Sequence, residues 1–500
     1  MPLHADLDVY LHGQHAGTIV TGDNAPTLRY AYSYLSSRTN AGPLSLSMPL
    51  SVDSMPAEAW LDGLLPDNVS VRRRWAHRQR VRSSSPSSLL STPIGLDCAG
   101  AVQFTPAGTP LPADRHSGVD WVSETEMAEW VARVRADWND WDGPRGIGQF
   151  SLAGAQAKCA VRLDDGRCGV PFGAAPTSHI LKPGIDRFPG ADLAEHLSLE
   201  AARFLGLDAS SSQVILFGGL RVLAVRRWDR VAAGDGLRRL HQEDLCQSLG
   251  IVPELKYQVL GGPSPAAIAQ HLRAHALDPL GDVQHFADAV VYNWIIGAPD
   301  AHAKNFAMIL DGHHARLAPL YDVISFIPFS PHPIEDTRMA MSVDGESTFG
   351  DADCPDYWDG FAQSVGLPSG RLLERIGDMT HRVPAAMQAA AKGLSAEDAG
   401  RRIVASLVRG VSDRCENLAG RFPDTTATRS ASLASGTWAA VSAGRAVLCE
   451  QPTKGGTCRR RLLSGPCPLH PDSPGSQAVL ARRIAPGGAV AVCSVDAGGC

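Results

Sequence analysis

The sequence predicts an α+β chain of two lobes, a mixed α/β N-terminal lobe and a mostly helical C-terminal lobe, followed by a Cys-rich tail. Three observations predict it. Short alternating or β-rich runs crowd the first half: DLDVYLHGQHAGTIV, SHILKP, SQVILF and LRVLAVRRW. Beyond them most of the chain to about residue 422 is helical in pattern, as in VQHFADAVVYNWIIGA, where Val283, Phe286, Val290 and Trp294 fall at helical spacing. From about residue 424 the chain turns Ala/Ser/Thr-rich and hardly charged, and its last stretch carries cysteines amid Gly and Pro.

Five hundred residues exceed one ordinary core, so two or three domains are expected. The divisions read as 1–110, an N-terminal subdomain; 111–423, the main body; 424–446, a linker; and 447–500, the tail. A hydrophobic content of 44% with 20% charged residues is that of a globular protein. A formal charge of -6 argues against a chain built mainly to coat nucleic acid or an anionic membrane. The N-terminus MPLHADLDVYLHG lacks a basic segment followed by an apolar one, and no apolar run reaches the length of a membrane span. Eleven dispersed cysteines, an odd count, fit a cytoplasmic protein with a metal site as an option at the end.

Residues 6–20 read as a hairpin around a Gly, and a helix is expected near MPAEAWLDGLLPD. The run VRRRWAHRQRVR (71–82) reads as the solvated face of an Arg-rich helix, with phosphate contact as the alternative, and SSSPSSLLSTP (83–93) reads as a loop. Ser123 and Glu126 form a capping-box pattern that opens a helix to about residue 138. GQFSLAGAQAKCAVRL (148–163) turns on small residues into a strand, and SHILKP is a second strand ending near Lys182. ADLAEHLSLEAARFLGLD reads as a helix closed by Gly206, and two strands then meet at the turn Gly218-Gly219. Downstream, FAMIL and ARLAPL form a hairpin about DGHH that returns to Tyr321-Asp322.

The loop GAPDAHAKNF holds Asp300, His302, Lys304 and Asn305 between two packed elements. Asp300 and Asn305 lie five apart, a spacing that lets the Asp orient an acceptor hydroxyl while the Asn holds a metal from the same loop. A metal bridging two phosphates needs a second hard oxygen, and the hairpin would return Asp322 beside Asn305. Lys182 on its strand and Glu195 on the next helix supply a fixed ammonium and its partner. Asp192-x-x-Glu195 also fits a capping-box start, so that alternative stays open. Ser151 to Gln156 place small residues, Ala153, Gly154 and Ala155 among them, where backbone N–H groups could approach phosphate. Singly, each residue has an ordinary reading: Asp300 as a turn residue, His302 bonded to backbone carbonyls, Lys304 on the surface, Asp322 as a helix cap. Their order and spacing together point to phosphoryl transfer.

The segments SLAGAQAK, HILKP, LHQEDLCQSLG, VVYNWIIGAPDAHAKNF and LAPLYDVIS resemble the HipA toxin-kinase family, and WLDGLLPDN, RRRWA and IGLDCAGAVQF resemble its N-terminal region. The resemblance covers roughly residues 5–420. It implies a bilobal, protein-kinase-like HipA fold and a Ser/Thr protein kinase that uses ATP and Mg²⁺. By position it implies Asp300 as catalytic base, Asn305 and Asp322 as Mg²⁺ ligands, and Lys182 on ATP phosphates. Arg226 and Trp228 fall in a hinge, Val225 to Trp228, whose backbone meets adenine. Ser151 matches the family's autophosphorylated serine, whose modification displaces the phosphate loop. His302 and Lys304 would be phosphate contacts, and Gln242-Glu243-Asp244 would be structural, capping a helix. The implied partners are a HipB-like helix-turn-helix antitoxin, operator DNA reached through it, and a protein substrate of the translation machinery such as an aminoacyl-tRNA synthetase. A pseudokinase that binds an antitoxin and a small-molecule kinase are the alternatives.

Two departures stand out. The hinge reads Arg226-Arg227-Trp228-Asp229 where an acidic residue and a Phe are expected. The tail lies beyond the family's end; its Cys449, Cys458, Cys467 and His470 have the ligand types of a tetrahedral Zn²⁺ site, with a disordered tail of free thiols as the alternative. Cys493 and Cys500 fit neither.

Overall fold

The structure, a computed structural model, describes residues 6–22, 25–37, 42–144, 150–154, 156–184, 188–234 and 236–422, with four two-residue strands between 447 and 462. By its contacts the chain divides into two units, Met1–Pro423 and Asp424–Cys500.

Two sheets open the first unit. The first is antiparallel, with β1 (Leu7–Leu11) between β2 (Gln14–Val20) and β5 (Val102–Pro106), and with β3 (Thr27–Tyr30) and β4 (Met55–Pro56) beyond β2. The hairpin read at residues 6–20 is β1–β2, turned by His12 and Gly13, both at positive φ. The second sheet runs β10 (Ser212–Phe217), β11 (Leu220–Arg226), β9 (His179–Pro183), β7 (Cys159–Asp164), β8 (Arg167–Phe172), β6 (Gly118–Val122). Alternation buries one face: Leu7, Val9, Val161, Leu181, Val222 and Ala224 join a single apolar core that both sheets share. β12 (Arg230–Ala233) and β13 (Gly236–Arg239) form a ribbon after β11. A third sheet, β14 (His241–Asp244), β15 (Ala307–Asp311) and β16 (His314–Leu317), leads into the helical half. There the helices Ala191–Phe204, Pro279–Ile295, Ser369–Lys392 and Arg402–Ala419 enclose a second core around Leu197, Phe286, Trp294, Trp358 and Leu407. Mixed α and β structure in two cores is what the patterning predicts.

Local chemistry explains the boundaries. Ser123 and Glu126 make both halves of the capping box that opens Glu124–Ala136. Gly206, at φ +86°, follows the helix Ala191–Phe204 where left-handed backbone ends it. One expectation fails. Residues 83–93 are not a loop throughout: Ser85 caps a helix over Pro86–Leu90 and a 3₁₀ turn follows at Pro93–Leu96. Proline at the first helical position suits the missing donor, and Leu89, Leu90 and Ile94 are fully buried, which a Ser/Pro-rich composition conceals. The Arg-rich helix forms over Val69–Arg78, and its arginines meet carboxylates: Arg72 bonds Asp62, and Arg74 contacts Asp137 and Asp140 at 2.6 and 3.1 Å.

No helix among the described residues is long and apolar enough to cross a membrane. In the second unit Val447–Leu448 pairs with Arg461–Leu462, and Pro452–Thr453 with Gly456–Thr457. The linker 424–446 and the candidate zinc ligands Cys449, Cys458, Cys467 and His470 lie outside the described residues.

Candidate active site

The helix Pro279–Ile295 ends at Gly297, whose positive φ of +64° turns the chain. A Cβ there would lie 2.8–2.9 Å from the side chains of Ile327 and Ile334, so space and backbone both favour glycine. The turn launches the loop that carries Asp300. His302 N–H donates to the Asp300 carbonyl at 2.8 Å, and Asn305 Nδ2 donates to the same carbonyl at 2.7 Å. With its amide donor engaged, Asn305 presents Oδ1 as the free hard donor. The Asp300 carboxylate is half-exposed; Oδ1 accepts the Tyr257 hydroxyl at 2.6 Å and Oδ2 lies 3.8 Å from His302 Nε2.

The β15–β16 hairpin then brings back Tyr321 and Asp322. Tyr321 O–H donates to the Lys304 carbonyl at 2.7 Å, which ties the returning strand to the loop. Asp322 takes a left-handed φ of +57°, and an aspartate tolerates that conformation better than most residues. Its Oδ1 accepts Lys182 Nζ at 2.5 Å, and Glu195 Oε1 accepts the same ammonium at 2.6 Å. Lys182 lies on β9 and Glu195 on the helix Ala191–Phe204, so three separate elements converge on one buried cation. Burial works against that charge, but Asp322 and Glu195 outweigh it and raise the Lys182 pKa. Burial likewise works against the Asp322 carboxylate, and the Lys182 and Lys158 ammoniums outweigh it, holding the group well below the usual carboxylate range.

The small-residue loop lies against the N-terminal subdomain. Ser151 is fully buried, its Oγ donating to the Leu64 carbonyl at 2.5 Å and its N–H to the Asp97 carbonyl at 3.0 Å. Gly154, at φ +106°, accepts Asp67 N–H at 3.1 Å; Ala155 lies outside the described residues. Lys158 closes the loop by donating from Nζ to the Ala153 carbonyl at 2.9 Å. A Cβ on Gly154 would stand 2.6 Å from that nitrogen. Burial pulls the Lys158 pKa down to about 8 against the field of Asp322. The sequence reading missed Lys158, although a lysine in a Lys-poor chain, two residues past the small-residue run, was an available signal.

Residues 226–229, in and beside the expected hinge, account for their departure by where their side chains go. Arg226 points to solvent, while Arg227 turns back into a buried ion cluster. Arg227 bonds Asp229 at 2.8 and 3.0 Å, Arg230 bonds Asp229 at 2.8 Å and Asp97 at 2.9 Å, and Arg239 bonds Asp97 at 2.8 Å. Three guanidiniums share two carboxylates, so the buried group keeps excess positive charge. Trp228 faces the other way, its ring 6.1 Å from Tyr321 in a small apolar cluster with Leu240, Ala307, Ile309 and Ala318.

Lys304 is not on the surface: its Nζ is buried against Asp244 at 3.1 Å and the Gly63 carbonyl at 3.4 Å, with Asp67 at 3.9 Å, so it ties the loop to the N-terminal subdomain. Asp244 caps the helix Leu245–Leu249 and completes a capping box with Gln247, while Glu243 Oε1 accepts Leu46 N–H at 2.9 Å. His302 is buried with its ring edge-on to Tyr257.

Comparison with known proteins adds the lineage. Residues 7–105 match the HipA N-terminal domain and residues 150–387 the HipA-like C-terminal domain. Y4mE of Sinorhizobium fredii is 33% identical over 386 residues, covering 75% of this chain and 89% of that protein. The chain belongs to the HipA family. The serine/threonine-protein kinase toxin HipA of Shewanella oneidensis is 25% identical over 398 residues, 75% of this chain and 87% of that one. A solved structure of Shewanella oneidensis HipA with HipB and operator DNA superposes with a TM-score of 0.71 over 83% of this chain and 97% of that one, at 23% identity, so the two share a fold.

Proposed function

We propose that this HipA-family chain is an ATP- and Mg²⁺-dependent Ser/Thr protein kinase and the toxin of a toxin–antitoxin pair. The observation that carries the reading is the convergence of Lys182 on Glu195 and Asp322, with Asp300 and Asn305 on the loop that Tyr321 ties down. A strand lysine paired to a helix glutamate is the arrangement a kinase uses to hold nucleotide phosphates. The donors suit a hard divalent ion: Asn305 offers Oδ1 once its amide N–H is engaged, and Asp322 is kept anionic. Bound there, Mg²⁺ would neutralise charge on the phosphates. Lys182 would pass from Asp322 to the phosphate oxygens while Glu195 keeps it in place. Asp300 Oδ2 would orient the acceptor hydroxyl and take its proton. The hinge, with Trp228 and the apolar cluster beneath it, would receive adenine.

Ser151 is the proposed autophosphorylation site. Its hydroxyl lies 2.5 Å from the Leu64 carbonyl in full burial, so a phosphate of nearly two negative charges has no place in the packed loop. Modification would drive the loop out and disable phosphate binding. A HipB-like helix-turn-helix antitoxin is the proposed partner, by analogy with the Shewanella complex, and operator DNA would be reached through it. A protein of the translation machinery, such as an aminoacyl-tRNA synthetase, is the proposed substrate.

The test is transfer of label from γ-labelled Mg·ATP into proteins of a bacterial extract, with wild type and Asp300→Asn in parallel. Label added by wild type and lost by about 10²–10⁴-fold in the variant supports a protein kinase. Equal background in both, with ATP still bound, would favour a regulatory binding module.

A further inference from the structure

Tyr257 lies outside every segment that the sequence motifs single out, yet it touches the proposed base. It belongs to a short run of 3₁₀ turns, Pro253–Leu255 and Gln258–Leu260, that packs over the Asp300 loop. Its hydroxyl donates to Asp300 Oδ1 at 2.6 Å, and its ring meets His302 edge-on with centroids 5.0 Å apart. The run is fastened at both sides of the tyrosine. The Lys256 carbonyl accepts Ala303 N–H at 3.3 Å, and Lys256 Nζ pairs with Asp67 at 2.8 Å while lying 5.5 Å from the Tyr257 ring centre. Gln258 makes a reciprocal pair with Ser342, donating to its Oγ at 2.9 Å and accepting its N–H at 2.8 Å.

Among the described residues Asp300 has no other side-chain donor this close: His302 Nε2 stands 3.8 Å from the second oxygen. A half-exposed carboxylate on a loop otherwise samples several rotamers. Burial and the Asp300 charge both raise the Tyr257 pKa, so its hydroxyl remains a donor at neutral pH.

We propose that Tyr257 is a positioning residue for phosphoryl transfer: it clamps Asp300 through Oδ1 and so directs Oδ2, the oxygen left open, at the acceptor hydroxyl. This deepens the kinase reading and rests on it. The clamp acts on the transfer step and leaves nucleotide binding alone, because Tyr257 reaches neither Lys182 nor Asp322 by any hydrogen bond among the described residues.

Tyr257→Phe removes only the hydroxyl and keeps the ring against His302 and Lys256. On the full-length protein, with Mg·ATP and the extract acceptors, we expect kcat to fall about tenfold, the range of one lost hydrogen bond to a charged group. KM for ATP and the unfolding temperature should match wild type, a split that a merely structural tyrosine would not produce. In the Asp300→Asn background the same change should cost nothing further, since the hydroxyl works through that carboxylate. Wild-type kcat in Tyr257→Phe, or an equal loss in both backgrounds, overturns the proposal while the kinase reading stands. A wild-type protein with no Asp300-dependent transfer overturns both.

Discussion

Asp97→Asn is the substitution that tests the proposed hinge most sharply. Asp97 is 1% exposed. Its Oδ1 accepts Arg230 at 2.9 Å and Arg239 at 2.8 and 3.1 Å; its Oδ2 accepts the Thr177 hydroxyl at 2.7 Å, Thr177 N–H at 3.1 Å and Arg227 at 3.3 Å. Asparagine fits the space but removes the charge and turns an NH₂ toward donors. Arg227 and Arg230 then keep Asp229 as their carboxylate, and Arg239 loses its ion pair with Asp97. Losing one partner of a buried ion group costs roughly 3–5 kcal/mol. For a unit of this size that lowers the unfolding temperature by about 3–6 °C. Arg227 N–H also donates to the Ser178 carbonyl at 2.9 Å, so a loosened Arg227 should disturb the hinge and weaken ATP binding. The assay is thermal unfolding with and without Mg·ATP. Burial opposes the Asp97 charge, yet the three guanidiniums hold its pKa well below the unfolded value. Its contribution is therefore complete above about pH 4 and is lost as the pH falls further, so wild type should lose its margin over the variant in acid. An Asp97→Asn protein that unfolds and binds ATP like wild type would refute the assignment of the cluster.

Glu195→Gln should leave Lys182 with Asp322 as its charged partner and lower kcat/KM for ATP by about 10- to 100-fold, read by steady-state transfer. Lys158→Met should weaken ATP binding, measured by calorimetry. It should also flatten a stability trend: with a folded pKa of about 8 against a higher unfolded value, Lys158 makes the folded state gain stability as pH rises from about 8 toward 10. Denaturant midpoints across that range would show the rise in wild type and its absence in the variant.

Much of this was legible from local pattern. Strand β9 with Lys182, the helix bearing Glu195 and the β15–β16 hairpin each carry their own periodicity, turn or cap signals, and the hairpin alone sufficed to expect the chain to return to the Asp300 loop, as Tyr321 does. What stayed hidden depends on partners distant in the chain. Asp97 meets Arg230 and Arg239 more than 130 residues away, and no local spacing marks such a pairing. Lys304 reads as an ordinary surface lysine in its motif, yet Asp244 and Gly63, from other elements, bury it. The helix at Pro86–Leu90 was masked by serines whose caps and neighbouring leucines only tertiary burial turns into structure. Tyr257 gave no sign at all, since a lone tyrosine in a run of mixed polar and apolar residues is ordinary until its hydroxyl is seen on Asp300.

The most direct test of the kinase assignment is the intact mass of the purified protein after incubation with Mg·ATP, for wild type, Asp300→Asn and Ser151→Ala. The proposed function predicts one added phosphate, mapped to Ser151, in wild type alone, with Ser151→Ala still able to label external acceptors. An unchanged wild-type mass together with no labelling of acceptors would contradict it.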